Sequence, residues 1–385
     1  MSDFLSRALL PAGFADLLPP EAGFEAATIE RLMAAFGAQG YVRVKPPLVE
    51  FEDSLLGGSG AAMARHSFRL MDPVSQRMLA LRPDMTLQVA RIAAVRLRAE
   101  PRPLRLCYAG QVLRVSGDAL RSARQFGQIG CELIGSVSVA ADVEAVLLAA
   151  TALTDIGTPG LSVDLSSPAL VAGIIADAGI AGEPARALRD ALDRKDAAAV
   201  AAHGGPVAGL LGALLRASGD PVRALAALHT QSLPPGAVAD ARRLAAIVAA
   251  LQARRPGLGL TVDLVENRGF EYHTGLCFTL FARGVRGELG RGGRYLAGGD
   301  FAGRAEPATG FTLYTDTILR ALPAETPARR IFVPMDAPAG TAERLRAEGW
   351  STLAALEPGT DAADEARRLG CSHAWIAGAV RALVE

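Results

Sequence analysis

The sequence predicts an α+β fold: an antiparallel sheet with flanking helices, a helical insertion, and a small C-terminal α/β unit. Three observations predict it. Residues 104–135 hold two alternating strand patterns joined by an Arg-studded, Gly-containing loop. Residues 167–256 turn Ala-rich and helical, broken at Gly204-Gly205-Pro206, Gly219-Asp220-Pro221 and Pro234-Pro235-Gly236. Beyond a linker at 323–327, short apolar runs alternate with short helical ones, as in a small α/β unit.

Taken in order, residues 21–39 have helical periodicity, with Phe24, Ala27, Ile29 and Met33 near one face and a turn at Gly40. Tyr41 to Pro47 reads as a strand stopped by proline. Leu79–Leu81 reads as a strand, and helical spacing runs from Thr86 to about Arg98. In the second strand of the hairpin, Phe126, Gln128, Gly130, Glu132 and Ile134 share one face, while Ile129, Cys131 and Leu133 share the other. The first face shows an amide and a carboxylate around a bare glycine, and Arg114 on the preceding strand can converge on it. Those three groups on one pleated surface suit a small zwitterion. Residues 141–155 form a helix ending at Gly157, and Leu161–Leu165 a strand. Strands resume at 260–265 and 276–283 and lead into the Gly-rich run 287–299. The last unit reads as a strand from Arg330, a helix over 341–348, a strand over 351–355, a helix over 361–369 and a strand over 373–376. The expected division is a core over 1–322, with its insertion at about 167–256, and a short α/β domain over 328–385.

The 385 residues are long enough to bury a sizeable core, and 50% apolar with 21% charged residues is ordinary globular composition. Formal net charge is zero, so no global electrostatic footprint for a polyanion exists. Cys107, Cys131, Cys277 and Cys371 form no Cys-x-x-Cys pair and read as buried thiols of a reduced compartment, which predicts a cytoplasmic protein. The five histidines show no metal-ligand spacing, and no cofactor is expected. The start, Met-Ser-Asp-Phe-Leu-Ser-Arg, has no signal pattern, and apolar runs such as 145–153 are too short for a membrane span.

The hairpin over 104–135 closely resembles motif 2 of the class II aminoacyl-tRNA synthetases, in the form used by histidyl-tRNA synthetases. Leu-Arg-Pro-Asp-Met-Thr (81–86) is similar to that family's Leu-Arg-Pro-Glu-Gly-Thr, and Gly-Gly-Arg-Tyr (292–295) matches its Gly-Gly-Arg-Tyr. Glu-Asn-Arg-Gly-Phe-Glu-Tyr-His-Thr-Gly (266–275) resembles its signature Arg-Gly-Leu-Asp-Tyr-Tyr segment, and Pro-Ala-Gly-Phe-Ala-Asp-Leu-Leu-Pro (11–19) resembles its N-terminal Gly-x-x-Asp-x-Leu-Pro. Five matches in order over most of residues 10–320 are a specific signal. The resemblance implies the class II sheet, and it makes 21–47 a motif 1 that supplies a dimer interface.

The departures bear on chemistry. Motif 3 of the family reads roughly Gly-Phe-Ala-x-Gly-x-Glu-Arg, and its Arg grips the ATP γ-phosphate. Here Thr317 stands at the Arg position and Tyr314 at a Gly position. The Glu of motif 2 that reads adenine is replaced by Ser116. Phosphoryl and adenylyl transfer ask mainly for charge stabilisation, and losing one such donor typically costs about 3–4 kcal/mol. The resemblance then implies a synthetase fold that makes no adenylate.

Carried over residue by residue, the family's amino-acid pocket falls on Asp84, Thr86, Arg114, Gln128, Glu132, Arg268, Tyr272, His273 and Tyr295. Asp84 stands for a Glu that holds the α-ammonium; read alone, Asp84 or Thr86 equally suits a cap of the following helix. Arg114 corresponds to an Arg that contacts the substrate carboxylate; alone, it suits a surface ion pair. Gln128 and Glu132 match a ligand-binding pair or form a buried network. Arg268 aligns with the family's catalytic Arg, and Tyr272 keeps the first signature Tyr. His273 replaces the second, which puts direct reading of an imidazole in doubt. Tyr295 is a pocket tyrosine or a core one.

A chain of this kind, with altered nucleotide residues and a tail of about 58 residues, resembles the family of ATP phosphoribosyltransferase regulatory subunits. That resemblance implies no aminoacylation and no tRNA partner. It also implies a homodimer assembling with the short-form ATP phosphoribosyltransferase catalytic subunit, and L-histidine as ligand. The rivals are a divergent histidyl-tRNA synthetase and a free-standing amino-acid sensor.

Overall fold

The computed structural model describes residues 9–56, 63–117, 121–266, 273–303, 305–323, 329–359 and 361–383. Two compact units make up the chain, Met1–Pro323 and Ala324–Glu385.

The larger unit opens with α1 (Glu21–Ala38), β1 (Val42–Arg43), β2 (Val49–Phe51), α2 (Glu52–Leu56), β3 (Arg69–Met71) and β4 (Met78–Leu81). Next come α3 (Thr86–Arg91), whose last turns widen to a π-helix over Ile92–Arg96, and the hairpin of β5 (Leu104–Leu113) and β6 (Gln125–Ile134). α4 (Val139–Asp155) and β7 (Ser162–Ser166) precede the insertion: α5 (Pro168–Asp177), α6 (Gly182–Asp193), α7 (Ala197–His203), α8 (Ala208–Ala217), α9 (Pro221–Thr230) and α10 (Pro235–Arg254). β8 (Gly259–Asp263), β9 (His273–Phe281), β10 (Gly290–Ala297), α11 (Gly299–Ala302), β11 (Glu306–Tyr314) and α12 (Thr315–Ala321) complete the unit.

Eight strands form the main sheet in the order β1-β5-β6-β11-β10-β9-β7-β8. From β5 to β7 all neighbours are antiparallel, while β1 with β5 and β7 with β8 run parallel. A parallel pair cannot be closed by a hairpin, and the helical insertion is the crossover between β7 and β8. β2, β4 and β3 make a separate small sheet.

The two faces of the sheet have different fates. Cys107, Ile129 and Cys131 point into the main core beneath α1 and α4, where Leu32, Phe36, Val146 and Leu153 are fully buried. The Phe36 ring meets that of Phe311 edge-on at 5.6 Å, and burying such a side chain contributes about 1.5–3 kcal/mol. Ser138 caps α4 by accepting the Ala141 N–H at 3.2 Å. Tyr108, Val112, Phe126, Tyr295 and Tyr314 lie on the other face, in a second cluster with Met85 and Val89 of the α3 segment.

In the smaller unit, β12 (Arg330–Val333), α13 (Thr341–Ala347), β13 (Ser351–Ala354), α14 (Ala362–Arg368), β14 (His373–Ile376) and β15 (Ala379–Ala382) follow in order. The sheet order is β13-β12-β14-β15, parallel except for the last pair. Ile331 and Val333 face one core with Trp350 and Trp375, and Phe332 faces another with Ala366 and Ala374.

Several elements differ from the sequence expectation. The strand over 41–47 is confined to Val42–Arg43, the Gly-rich run holds the eight-residue strand β10, and β15 extends the last unit. In α1 the buried side chains are Thr28, Leu32, Met33 and Phe36, with Phe24 and Ile29 only partly covered.

Candidate functional site

The site is built on one face of five adjacent strands. Directly opposed residues of antiparallel strands share a face. One row therefore runs Leu106 (β5), Glu132 (β6), Gly310 (β11) and Gly293 (β10), and the next runs Tyr108, Gly130, Thr312 and Arg291. Tyr295, two residues beyond Gly293, pairs with His273 of β9 across a bulge. Three glycines form the floor because the side chains above them leave no room. A Cβ on Gly310 would lie 1.9 Å from Glu132 Oε2, on Gly130 2.4 Å from the Tyr108 hydroxyl, and on Gly293 2.4 Å from His273 Cδ2.

Glu132 is the centre of a polar cluster. The Tyr295 hydroxyl donates to its Oε2 at 2.8 Å and the Tyr108 hydroxyl to its Oε1 at 3.1 Å. Tyr108 also meets Thr312 Oγ1 at 3.1 Å and Thr86 Oγ1 at 3.2 Å. Burial pushes the Glu132 carboxyl up to about 8, against two phenol hydrogen bonds that act the other way. It is therefore mostly a neutral acid at pH 7. Burial, with Arg291 nearby, holds His273 down at about 3, so its imidazole is neutral. The Tyr108 phenol is pushed well above its usual value by burial.

A second group adjoins the cluster. Asp84 accepts the backbone N–H of Thr86 at 2.8 Å, the first residue of α3, and the Gln128 amide at 2.5 Å. The Gln128 side-chain oxygen Oε1 accepts the Met85 N–H at 2.8 Å. Asp84 thus serves the start of the helix with one oxygen and the sheet with the other.

Thr86, Glu132, His273 and Tyr295 line one small cavity, joined by Arg291 and Thr312, while Asp84 and Gln128 stand beside it. Its volume is about 10 Å³, room for about one water molecule. Arg114 does not line this cavity but stands next to Asp84: its guanidinium sits 5.1 Å over the Phe126 ring, and its Nε donates to the Pro83 carbonyl at 3.4 Å. Arg268 and Tyr272 lie outside the described residues. A larger groove of about 820 Å³, lined by Ala94, Val95, Arg98 and Phe301 among others, contains none of the expected site residues.

Sequence reasoning missed Tyr108, Thr312 and Arg291 on the pocket face. The two-residue period of β5 would have yielded Tyr108, since it opposes Gly130, but Thr312 and Arg291 need the register of β10 and β11. Arg121 was missed as well. Its guanidinium lies 4.5 Å from the Phe126 ring and 4.0 Å from the Tyr314 ring. Its Nε donates to Asp316 at 2.9 Å and its Nη2 to Thr317 Oγ1 at 3.4 Å. Arg121 is therefore stacked, paired with a carboxylate and 9% exposed, and Arg320 also donates to Thr317 Oγ1, at 3.3 Å.

A family model described as histidyl-tRNA synthetase matches residues 13–318. An ATP phosphoribosyltransferase regulatory subunit of Rhodospirillum centenum is 57% identical over 98% of this chain and 96% of that one. This chain belongs to the ATP phosphoribosyltransferase regulatory subunit family, within the histidyl-tRNA synthetase fold. Among solved structures, an ATP phosphoribosyltransferase regulatory subunit/histidyl-tRNA synthetase from Bacillus halodurans C superposes with a TM-score of 0.80 at 23% identity, covering 94% of this chain and 96% of that one. The ATP phosphoribosyl transferase (HisG:HisZ) complex from Thermotoga maritima contains a chain matching at a TM-score of 0.59 and 16% identity, over 76% of this chain and 97% of that one. At those identities the likeness is one of fold: the class II synthetase sheet that the sequence predicts is the sheet these proteins share.

Proposed function

We propose that this chain is a regulatory subunit without aminoacylation activity, which activates the short-form ATP phosphoribosyltransferase catalytic subunit and makes it responsive to histidine at the first step of histidine biosynthesis. The observation that carries the reading is the 57% identity over nearly the whole chain to a protein of that name. A complex of the transferase among the structural neighbours supports the partnership. We expect a homodimer through residues 24–47 that joins the catalytic subunit in a hetero-oligomer, in the cytoplasm and without tRNA. No helix among the described residues is long and apolar enough to cross a membrane.

Loss of adenylation is supported by Thr317, Tyr314 and Ser116, and by the neighbourhood of Thr317. Arg121, which donates to Thr317, already pairs with Asp316 and stacks on Phe126 and Tyr314. It is poorly placed to stabilise a transferring phosphate. The pocket over the glycine floor is proposed as the histidine site, formed by Asp84, Thr86, Gln128, Glu132, His273 and Tyr295, with Arg114, Arg268 and Tyr272 carried over from the family pattern. A neutral Glu132 offers a proton to exchange when a basic ligand arrives. The cavity must open to admit one, because about 10 Å³ holds no amino acid. Histidine-dependent exchange between ATP and pyrophosphate should stay at the blank level with the purified chain. Clear exchange would restore the synthetase reading that the family model's name suggests.

A further inference from the structure

The lining of the glycine-floored cavity depends on an irregularity in the sheet. Gly293 of β10 pairs with Cys277 of β9, but the next pair along is Tyr295 with His273. Residues 274–276 of β9 therefore face Arg294 alone. A regular antiparallel ladder would carry Tyr295 to Gly275; the bulge brings His273 beside it instead. Tyr295 and His273 both line the cavity, so the bulge decides which side chains meet there.

A bulge interrupts the ladder, so side chains must do more of the holding there. Arg294 sits opposite it. The arginine stem crosses Gly275, where a Cβ would lie 3.3 Å from Arg294 Cδ. On the face away from Tyr295, its Nε donates to Asp142 at 2.9 Å, its Nη1 to the Ser136 carbonyl at 2.8 Å and its Nη2 to the Ser138 carbonyl at 3.3 Å. The second oxygen of Asp142 accepts from Arg243 Nε of α10 at 2.9 Å, and Arg243 Nη2 also reaches the Ser138 carbonyl at 3.1 Å. Asp142 is fully buried, so water does not screen this pairing. The bulge and the helical insertion thus share one anchor. Arg243 itself is not among the residues lining the cavity.

Building on the reading of this pocket as a histidine site, we propose that Arg243 is a positioning residue for the ligand: through Asp142 and Arg294, the insertion holds the bulge that places Tyr295 and His273 in the pocket. Ligand affinity and the seating of α10 on α4 are then linked. By reciprocity, a ligand that needs the bulge in place also tightens the insertion.

Calorimetry with L-histidine on the full-length chain and its variants tests this. Arg243→Met leaves Asp142 paired with Arg294, so the fold should hold, and thermal melts check that it does. Histidine binding should weaken about threefold or more, the usual size of a coupling carried through a packed network. Arg243→Lys keeps a charge for Asp142 and should recover part of the loss. Arg255→Met is the control, because Arg255 ties the end of the same helix to α4 through Thr151 at 3.1 Å and Thr154 at 2.7 Å rather than through Asp142. It should leave the affinity unchanged. Combined with Tyr295→Phe, Arg243→Met should depart from simple multiplication of the two losses by more than the factor of about two seen for independent sites. If Arg243→Met binds histidine like the unmodified chain, if Arg255→Met loses as much, or if the double variant shows simple multiplication, Arg243 only supports the fold and the proposal is overturned. An unmodified chain that binds no histidine would instead overturn the pocket reading, and this assignment with it.

Discussion

Glu132 links stability to pH in the direction opposite to an ordinary paired carboxylate. Its carboxyl titrates near 8 in the folded chain and near 4.5 when unfolded, so over that window the folded state holds a proton that the unfolded state has released. Its contribution to stability is complete below about pH 4.5 and is lost as pH rises through about 8. Urea unfolding at pH 5 and pH 8 should show the chain losing stability across the window, and Glu132→Gln should flatten that slope. An unchanged slope in the variant would place the titration elsewhere. Much of this residue-level picture was legible early, because alternation alone put Gln128 and Glu132 on one face around Gly130. Arg121 was not legible: its partners Tyr314 and Asp316 lie almost two hundred residues away in sequence and meet it only in the folded chain. The same is true of Arg291, whose neighbours come from other strands.

At the scale of elements, one fully buried carboxylate joins three parts of the chain. Asp142 on α4 accepts from Arg294 Nε of β10 at 2.9 Å through Oδ1, and from Arg243 Nε of α10 at 2.9 Å through Oδ2. Both arginines also donate to the Ser138 carbonyl, at 3.3 Å and 3.1 Å. The arginine of Gly-Gly-Arg-Tyr is thus a strut between the pocket strand and the insertion, on the face away from Tyr295. Removing one partner of a buried ion pair leaves the other charges desolvated and costs about 3–5 kcal/mol. Asp142→Ala should lower the denaturation midpoint accordingly; a cost near that of a surface substitution would contradict this account. Helices and the central hairpin were legible because their apolar periods are long. The strand β10 was not, since glycines at 290, 292 and 293 carry no β propensity of their own and are held by the ladders of β9 and β11. The short strands β2 and β3, three residues each, offered too few residues for a period to appear.

For the whole molecule, ordered motifs were enough to reach the synthetase fold, since five local patterns in one order leave few architectures open. The partner was never legible from physical chemistry, because no exposed residue names what binds it. An allosteric subunit acts only through different affinities for two states of its partner. The central claim is therefore tested most directly by titrating this chain into a fixed amount of the short-form ATP phosphoribosyltransferase catalytic subunit while following the transferase rate, with and without L-histidine. The rate should climb from a low baseline, saturate at a fixed subunit ratio, and fall again on adding histidine. A rate that does not respond to this chain at any ratio would contradict the account.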